Sequence, residues 1–368
     1  MEIVQIAGFY PPHLGGAELV AERLATGQAA EHDVTVYTSD VGRGTAPRRE
    51  HTGRLRVFRD RALRLGNTPV VPRLAARLLR HRPRPDVVHV HGGVAAWPEL
   101  VRLGTRLRGV PYVVHVHLMV RPSSAAGRVL LPLYQRTLYA TFLRKAALVI
   151  CLTSAMRDEL VTAYGLPADR VVVVPNGVDT ELFRPGPFAE RAPDELLFVG
   201  RLTEQKNVLA AVDAITLLPP EVTLRIVGDG ELRDAVERRI RESGLTNVVL
   251  EGRLGPIELA QRYRRATLVL MPSTHEGLPL VLLEAMATGA PVVCSDLPEL
   301  VESGGDAVLA VRELTAASLA AAASALLADR PRREALSAAA ERRAAGYTWP
   351  AVVAAVDELY RRVRAGRR

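Results

Sequence analysis

Short apolar, β-branched runs, each separated from the next by a stretch with helical spacing, leave this chain few architectures. In the first half the runs read EIVQIA, DVTVY, DVVHV, YVVHV, ALVIC and VVVV; in the second they read ELLFV, VTLRIV, NVVL, TLVLM and PVVC. Uninterrupted runs of this length mark strands buried on both faces, as parallel sheets require. Parallel neighbours need a crossover, and the helix-patterned stretches between the runs supply it. Two successive series predict an α/β chain of two doubly wound domains. A length of 368 residues agrees, because single cores stop growing near ~250–300 residues. The segment FRPGPFAERAPDE, residues 183–195, has no strand or helix period and places the boundary at 185/186. The expected domains are therefore 1–185 and 186–348. Residues 349–368 form a separate amphipathic helix with Val352, Val353, Val356, Leu359, Tyr360 and Val363 at helical spacing.

Cys151 and Cys294 each end an apolar run, so they read as small core residues and fit a reduced, cytoplasmic setting. The N-terminal MEIVQIAGFY has no basic segment ahead of an apolar core, and no apolar run approaches the roughly 18 residues of a membrane span. Charge is distributed unevenly. Residues 1–185 hold 25 Lys or Arg against 15 Asp or Glu, a balance of +10, and residues 186–368 hold 23 against 25, a balance of −2. The excess sits in residues 43–147, with 21 basic against 4 acidic side chains. In RALRLGNTPVVPRLAARLLRHRPRP and RPSSAAGRVLLPLYQRTLYATFLRK the arginines flank apolar residues at helical spacing. That pattern suits the anionic inner face of a membrane, and hence a peripheral protein. Nucleic acid is not expected, because no recognised binding module or aromatic platform accompanies the charge.

The most informative stretch is HEGLPLVLLEAMATGAPVV, from His275 to Val293. Pro279 suits the first turn of a helix, having no amide proton to leave unsatisfied. The free amides and positive dipole end of such a helix suit a diphosphate. Glu276 precedes that start and Glu284 lies about two turns along it, and a carboxylate can accept both protons of a vicinal diol. In FVGRLTEQKN, residues 198–207, a buried strand runs through a glycine into a loop carrying Arg201 and Lys206, two cations well placed for phosphate. FYPPHLGGAE, residues 9–18, follows the first strand, and its Gly15 and Gly16 permit positive backbone dihedrals and close approach of the main chain. In VVHVHGG and VVHVHLM, alternation puts His89 and His91 on one face of their strand, and likewise His115 and His117 on one face of theirs. No Cys, Asp or further His stands at ligand spacing beside either pair, so no metal is expected. Gly228 to Gly230 lack the third glycine of a dinucleotide fingerprint, and Asn176-Gly177 is a turn signal.

These motifs together resemble family four of the retaining glycosyltransferases, marked by Glu, seven residues, Glu. Glu276 and Glu284 have that spacing, and the alanine, glycine and proline pattern follows. The resemblance covers essentially the whole chain and implies a GT-B fold: two Rossmann-like domains, the final helix crossing back to the first, the donor mostly on the second domain and the acceptor on the first. It implies a nucleotide-sugar donor, with Glu276 on the transferred sugar, Glu284 on the ribose hydroxyls, and Arg201 and Lys206 neutralising the diphosphate. His117 would approach the transferred sugar, and His91 would border the acceptor side. The expected catalytic residues are thus Glu276, Arg201, Lys206 and His117. Donor binding would involve Gly16, Arg201, Lys206, Glu284 and the segment Gly277, Leu278, Pro279, Leu280 and Val281. His89 and His115 read as packed core residues. Pro279 stands where the family often has glycine, removing one backbone donor to the sugar, and Glu31 replaces a glycine at a helix end. No Asp-x-Asp is present to hold a divalent metal, so the transfer is expected to need no metal or other cofactor. A sugar, lipid-linked or small-molecule hydroxyl is the expected acceptor. A nucleotide-sugar epimerase of the same fold and a catalytically silent partner subunit are the alternatives.

Overall fold

The computed structural model describes residues 1–13, 15–65, 68–92, 97–119 and 131–366. They divide into two compact units, Met1–Asn176 with Trp349–Arg368, and Gly177–Thr348. The first unit contains β1 (Glu2–Ala7), β2 (Asp33–Ser39), β3 (Arg49–Thr52), β4 (Leu55–Asp60), β5 (Leu63–Leu65), β6 (Thr68–Val70), β7 (Val87–His91), β8 (Tyr112–His115), β9 (Leu148–Cys151) and β10 (Val171–Val173). Eight of these form one sheet in the order β10-β9-β8-β7-β1-β2-β4-β3, parallel except for β3 at its edge. The second unit contains β11 (Glu195–Val199), β12 (Thr223–Val227), β13 (Val248–Gly252), β14 (Leu268–Met271), β15 (Val292–Ser295) and β16 (Val308–Val311). They form a wholly parallel sheet in the order β13-β12-β11-β14-β15-β16. This is the α/β, two-Rossmann architecture of the GT-B class.

All eleven apolar runs form strands, and in the central ones burial on both faces favours Val, Ile and Leu. Ile3, Val4, Ile6, Val113, Val114, Leu196, Leu224, Ile226, Leu268 and Val293 are all completely buried. The additional strands carry no such signature. Every residue of β3 is exposed, β4 alternates charge with bulk as LRVFRD, and all of β16 is only half-buried. Cys151 and Cys294 are buried free thiols.

The division between units falls between Asn176 and Gly177, ahead of the proline-rich segment 183–195. That segment is tied into the second unit instead of linking the two. Phe183 packs edge-on against Tyr263 at 6.0 Å, and one Arg191 guanidinium nitrogen donates to the carbonyls of Tyr263, Arg264 and Ala266 at 3.0, 3.0 and 2.9 Å. These three hydrogen bonds and the aromatic contact anchor the segment despite its lack of regular structure. The last helix, Trp349–Ala365, belongs to the first unit, where it packs on the helix Gly16–Gln28. Its Val352, Val356, Leu359 and Tyr360 are buried, and its Asp357 accepts a 2.7 Å hydrogen bond from Gln28.

Candidate active site

In a doubly wound sheet the loops at the carboxyl ends diverge where strand order reverses, opening a crevice for ligands. In the second unit that reversal lies between β11 and β14. Arg201 and Lys206 follow β11, and Glu276 follows β14. The two loops are clipped together: Thr274 N–H donates to the Gln205 carbonyl at 2.8 Å, and Gln205 Nε2 donates to the His275 carbonyl at 2.9 Å. Ser295 Oγ, at the end of β15, donates to the Ser273 carbonyl at 2.6 Å and braces the second loop from below. Lys206 Nζ then lies 2.5 Å from Glu276 Oε1, with side-chain exposures of only 14% and 5%. At such burial the pair is weakly screened and holds both groups in place. Arg201 is exposed, and among the described residues its guanidinium has no hydrogen-bond or ion-pair partner.

The glycines of GDGELRDAVE explain themselves here. A Cβ at Gly228 would sit 1.9 Å from the Gly200 carbonyl oxygen, and Gly228 has φ +138°. Only glycine lets the turn after β12 press against the turn after β11 that carries Arg201. Leu202 N–H donates to the Asp229 carbonyl at 3.0 Å, which completes the contact.

The helix expected at residue 279 spans Leu280–Ala287. Pro279 is its N-cap, in extended conformation at φ −71° and ψ 136°, one position earlier than the first turn assigned from sequence. The fixed proline φ suits either place. Among the described residues, the backbone N–H groups of Gly277, Leu280 and Val281 donate to no acceptor. Unbonded amides at a helix start, beside the Lys206–Glu276 pair, have the chemistry to receive an anion. Gly277, Leu278 and Pro279 are buried, whereas Leu280 and Val281 keep partial exposure.

Glu284 is partly buried and accepts a 3.0 Å hydrogen bond from the Tyr263 hydroxyl. Burial pushes its carboxyl up to about 7, against the lowering effect of that bond. Tyr263, itself fully buried, was not anticipated: it lies 21 residues away on another helix, and nothing in its local sequence marks it. If Glu284 accepts ribose hydroxyls as a carboxylate, donor affinity is expected to fall as pH drops through about 7, approaching tenfold per unit below it. Glu284→Gln should bind weakly at all pH values. Titration calorimetry with the nucleoside diphosphate between pH 5.5 and 8.5 checks this. The same raised pKa means that this group's contribution to stability is present at low pH and is lost as pH rises through about 7.

In the first unit the order reverses between β1 and β7, and the sequence motifs again cluster at that place. The helix Gly16–Gln28 starts after β1 with Gly15 as N-cap. Gly15 has φ −178°, ordinary extended backbone, and neither Gly15 nor Gly16 has positive φ, so the expected dihedral role is corrected. Space remains as the reason for glycine at 16, since nothing described lies within 4 Å of a Cβ built there.

The histidines add a relation that the strand-by-strand reading leaves open. The two pairs are far apart in sequence, yet β7 and β8 are neighbours with His91 in register with His115, so both pairs share one face. Ring centroids are 4.4 Å apart for His89–His91, 5.8 Å for His91–His115 and 4.3 Å for His115–His117. Ligand spacing along the chain could not reveal a neighbour across a ladder. Burial pushes every ring down, His89 to about 3 and His117 to about 4, with His91 and His115 well below the usual range. All four are neutral near pH 7. His91 and His117 touch at 3.1 Å, while His89 and His115 are fully buried.

In residues 61–85, Leu74 and Leu78 of the helix Leu74–Arg80 turn inward and are buried, while Leu63 is 68% exposed. The 121–145 stretch lies partly outside the described residues, but Leu133 and Leu138 are 64% and 48% exposed. Among the described residues no helix is long and apolar enough to cross a membrane.

Comparison with known proteins agrees with this fold. Residues 14–182 match the family described as Glycosyltransferase Family 4, and residues 193–329 match Glycosyl transferases group 1. The D-inositol 3-phosphate glycosyltransferase of Kineococcus radiotolerans is 34% identical over 325 residues, covering 77% of this chain and 73% of that protein. The alpha-maltose-1-phosphate synthase of Mycolicibacterium smegmatis is 30% identical over 405 aligned positions, covering 99% and 100%. Among solved structures, the sucrose-phosphate synthase of Thermosynechococcus elongatus superposes with a TM-score of 0.80 at 21% identity over 99% of both chains. The Anabaena HepE protein in complex with UDP-glucose gives 0.78 at 21% identity over 98% and 99%.

Proposed function

The chain belongs to the family 4, group 1 glycosyltransferases, and from that premise we propose that it moves a sugar from a nucleoside-diphosphate-sugar to a hydroxyl acceptor, with retention at the anomeric carbon and without a metal ion. The observation that carries this reading is the Lys206–Glu276 pair at 2.5 Å beside the unbonded N–H groups of Gly277, Leu280 and Val281. A diphosphate needs positive charge and donors, and both converge at the carboxyl ends of β11 and β14. Arg201, Lys206 and the helix start stabilise the charge that grows on the departing diphosphate. Glu276 takes the hydroxyls of the transferred sugar, and Glu284 takes the ribose. The absence of an Asp-x-Asp motif supports charge neutralisation by side chains instead of a cation. With no nucleophilic carboxylate assigned, front-face attack follows, in which the leaving phosphate oxygen accepts the acceptor's proton. By family resemblance alone, His117, half-buried just after β8, is assigned to the transferred sugar and Gly16, with nothing described within 4 Å of a Cβ built there, to the donor phosphate. A thermal-shift series with UDP, GDP and ADP and their sugar conjugates identifies the donor, since the base that binds raises apparent stability. No shift with any of them would overturn the donor assignment.

The acceptor is proposed to be membrane-proximal. Leu103 and Leu107, 51% and 63% exposed, stand beside exposed Arg102 and Arg106 on the helix Trp97–Arg108, and Leu133 and Leu138 add further exposed apolar surface. Exposed leucines flanked by arginines favour an anionic bilayer surface. Co-sedimentation with anionic vesicles is expected at low salt and should weaken steeply as salt rises. Leu103→Ser with Leu107→Ser should reduce it several-fold. Equal binding to neutral vesicles, or none to anionic ones, contradicts the proposal.

A further inference from the structure

The interior face of the first sheet holds a group of side chains that the donor chemistry does not use. His89, His91 and His115 each present a ring nitrogen, and these atoms all lie within 4.8 Å of one another. They are buried, and their surroundings are otherwise well satisfied. Gln5 donates to Gln28 at 2.8 Å, Gln28 donates to Asp357 at 2.7 Å, and His89 Nδ1 meets the Tyr360 hydroxyl at 2.5 Å. Amid that network, both ring nitrogens of His115 and Nε2 of His89 have no hydrogen-bond partner. A neutral imidazole has one N–H and one lone pair, and leaving either buried and unmet costs stability. Three such rings with converging nitrogens have a natural occupant in a cation that takes lone pairs.

We propose that His89, His91 and His115 form a binding site for one divalent transition metal ion of the zinc class, with His117 beside the fourth position. The ligand chemistry selects the class: neutral imidazoles suit Zn²⁺, Co²⁺ or Ni²⁺ and exclude Mg²⁺ and Ca²⁺, which take oxygen. At Zn–N distances of about 2.0–2.1 Å the three nitrogens close to about 3.3 Å from one another. Small rotations of side chains on two adjacent strands provide this contraction. Outer groups are already in place to fix the ligand rings, as metal-bound histidines require. Tyr360 holds the far nitrogen of His89, and the Gln5 amide contacts His91 Nε2 at 3.0 Å. His117, only half-buried and 3.1 Å from His91, marks the way in from the carboxyl end of the sheet. The Tyr360 contact extends the site to the last helix, so the ion ties the strands β7 and β8 to residues more than 240 positions away. The ion is assigned to stability and lies on the unit that does not carry Arg201, Lys206, Glu276 and Glu284.

Untagged full-length protein, stripped with EDTA and desalted, is titrated with CoCl₂. The expected result is a visible ligand-field band of tetrahedral intensity that saturates at one Co²⁺ per chain, is displaced by Zn²⁺, and is accompanied by a higher melting temperature. His115→Gln and His89→Gln, with far-UV circular dichroism like the wild type, should lose the band and the thermal shift. In the wild type alone, proton NMR should show paramagnetically shifted ring N–H signals from histidines that exchange slowly with solvent. Failure to saturate at one equivalent, retention of the band in folded His115→Gln, or shifts confined to exposed histidines such as His51 overturns the site.

Discussion

Alanine at Arg201 or at Lys206 is expected to slow sugar transfer by on the order of a hundredfold or more, as removal of preorganised charge at a developing anion does. The two substitutions should differ in every other respect. Arg201 is exposed and has no hydrogen-bond or ion-pair partner among the described residues, so Arg201→Ala should leave the melting temperature almost unchanged. Lys206 is paired with buried Glu276, and removing it strands a carboxylate. Breaking a buried pair from one side costs on the order of 3 kcal/mol, so Lys206→Ala should also melt early. The double substitution Lys206→Ala with Glu276→Ala separates the two effects. It should recover much of the lost stability, because neither charge is left alone, while activity stays low. Steady-state kinetics beside thermal melts of the same preparations check both. Equal rates in Arg201→Ala and wild type would remove the charge-stabilisation argument.

Glu276→Gln is the second large effect: turnover should fall by on the order of a hundredfold while affinity for the free nucleoside diphosphate stays near wild type. Glu276 belongs to the loop after β14 and is proposed to contact the transferred sugar, so its contribution should be felt as the sugar reacts. Glu284→Gln should show the opposite division, with weakened nucleotide binding and a smaller loss of saturated rate. The contrast is the informative part. Carboxylates with merely structural roles would change stability in both variants and leave the division between binding and turnover untouched. Calorimetry for the nucleotide and initial rates at saturating donor give the two numbers for each variant.

Much of the fold was legible because strands buried on both faces must be apolar throughout, as EIVQIA, ELLFV and TLVLM are. β3, β4 and β16 escaped notice because edge position and partial exposure relax that demand, and REHT reads as a surface turn. The residues proposed for the donor site stood out for a related reason: Glu276, Pro279 and Glu284 lie in one short segment, and Arg201 and Lys206 in another, so spacing along the chain carries their placement. Groups that meet across the fold left no such trace. Tyr263 reaches Glu284 from a different helix, and Gln205 clips one loop to another. The histidines show the limit most clearly. Each pair was visible as an alternating motif, but only the register of His91 with His115 makes them one cluster. The proline-rich segment 183–195 looked like a linker because its anchors, Phe183 and Arg191, bind partners more than 70 residues away.

The most direct test of the account needs no acceptor. Incubated in excess EDTA with the α-linked nucleotide-sugar that gives the largest thermal shift, the enzyme should slowly transfer the sugar to water, and proton NMR of the anomeric signal reports the first product formed. The expected result is release of the nucleoside diphosphate with a sugar that appears first as the α anomer, in the wild type and not in Arg201→Ala. An absolute requirement for magnesium or manganese, or a β anomer appearing first, would contradict a retaining transfer driven by Arg201, Lys206 and the start of the helix at Leu280.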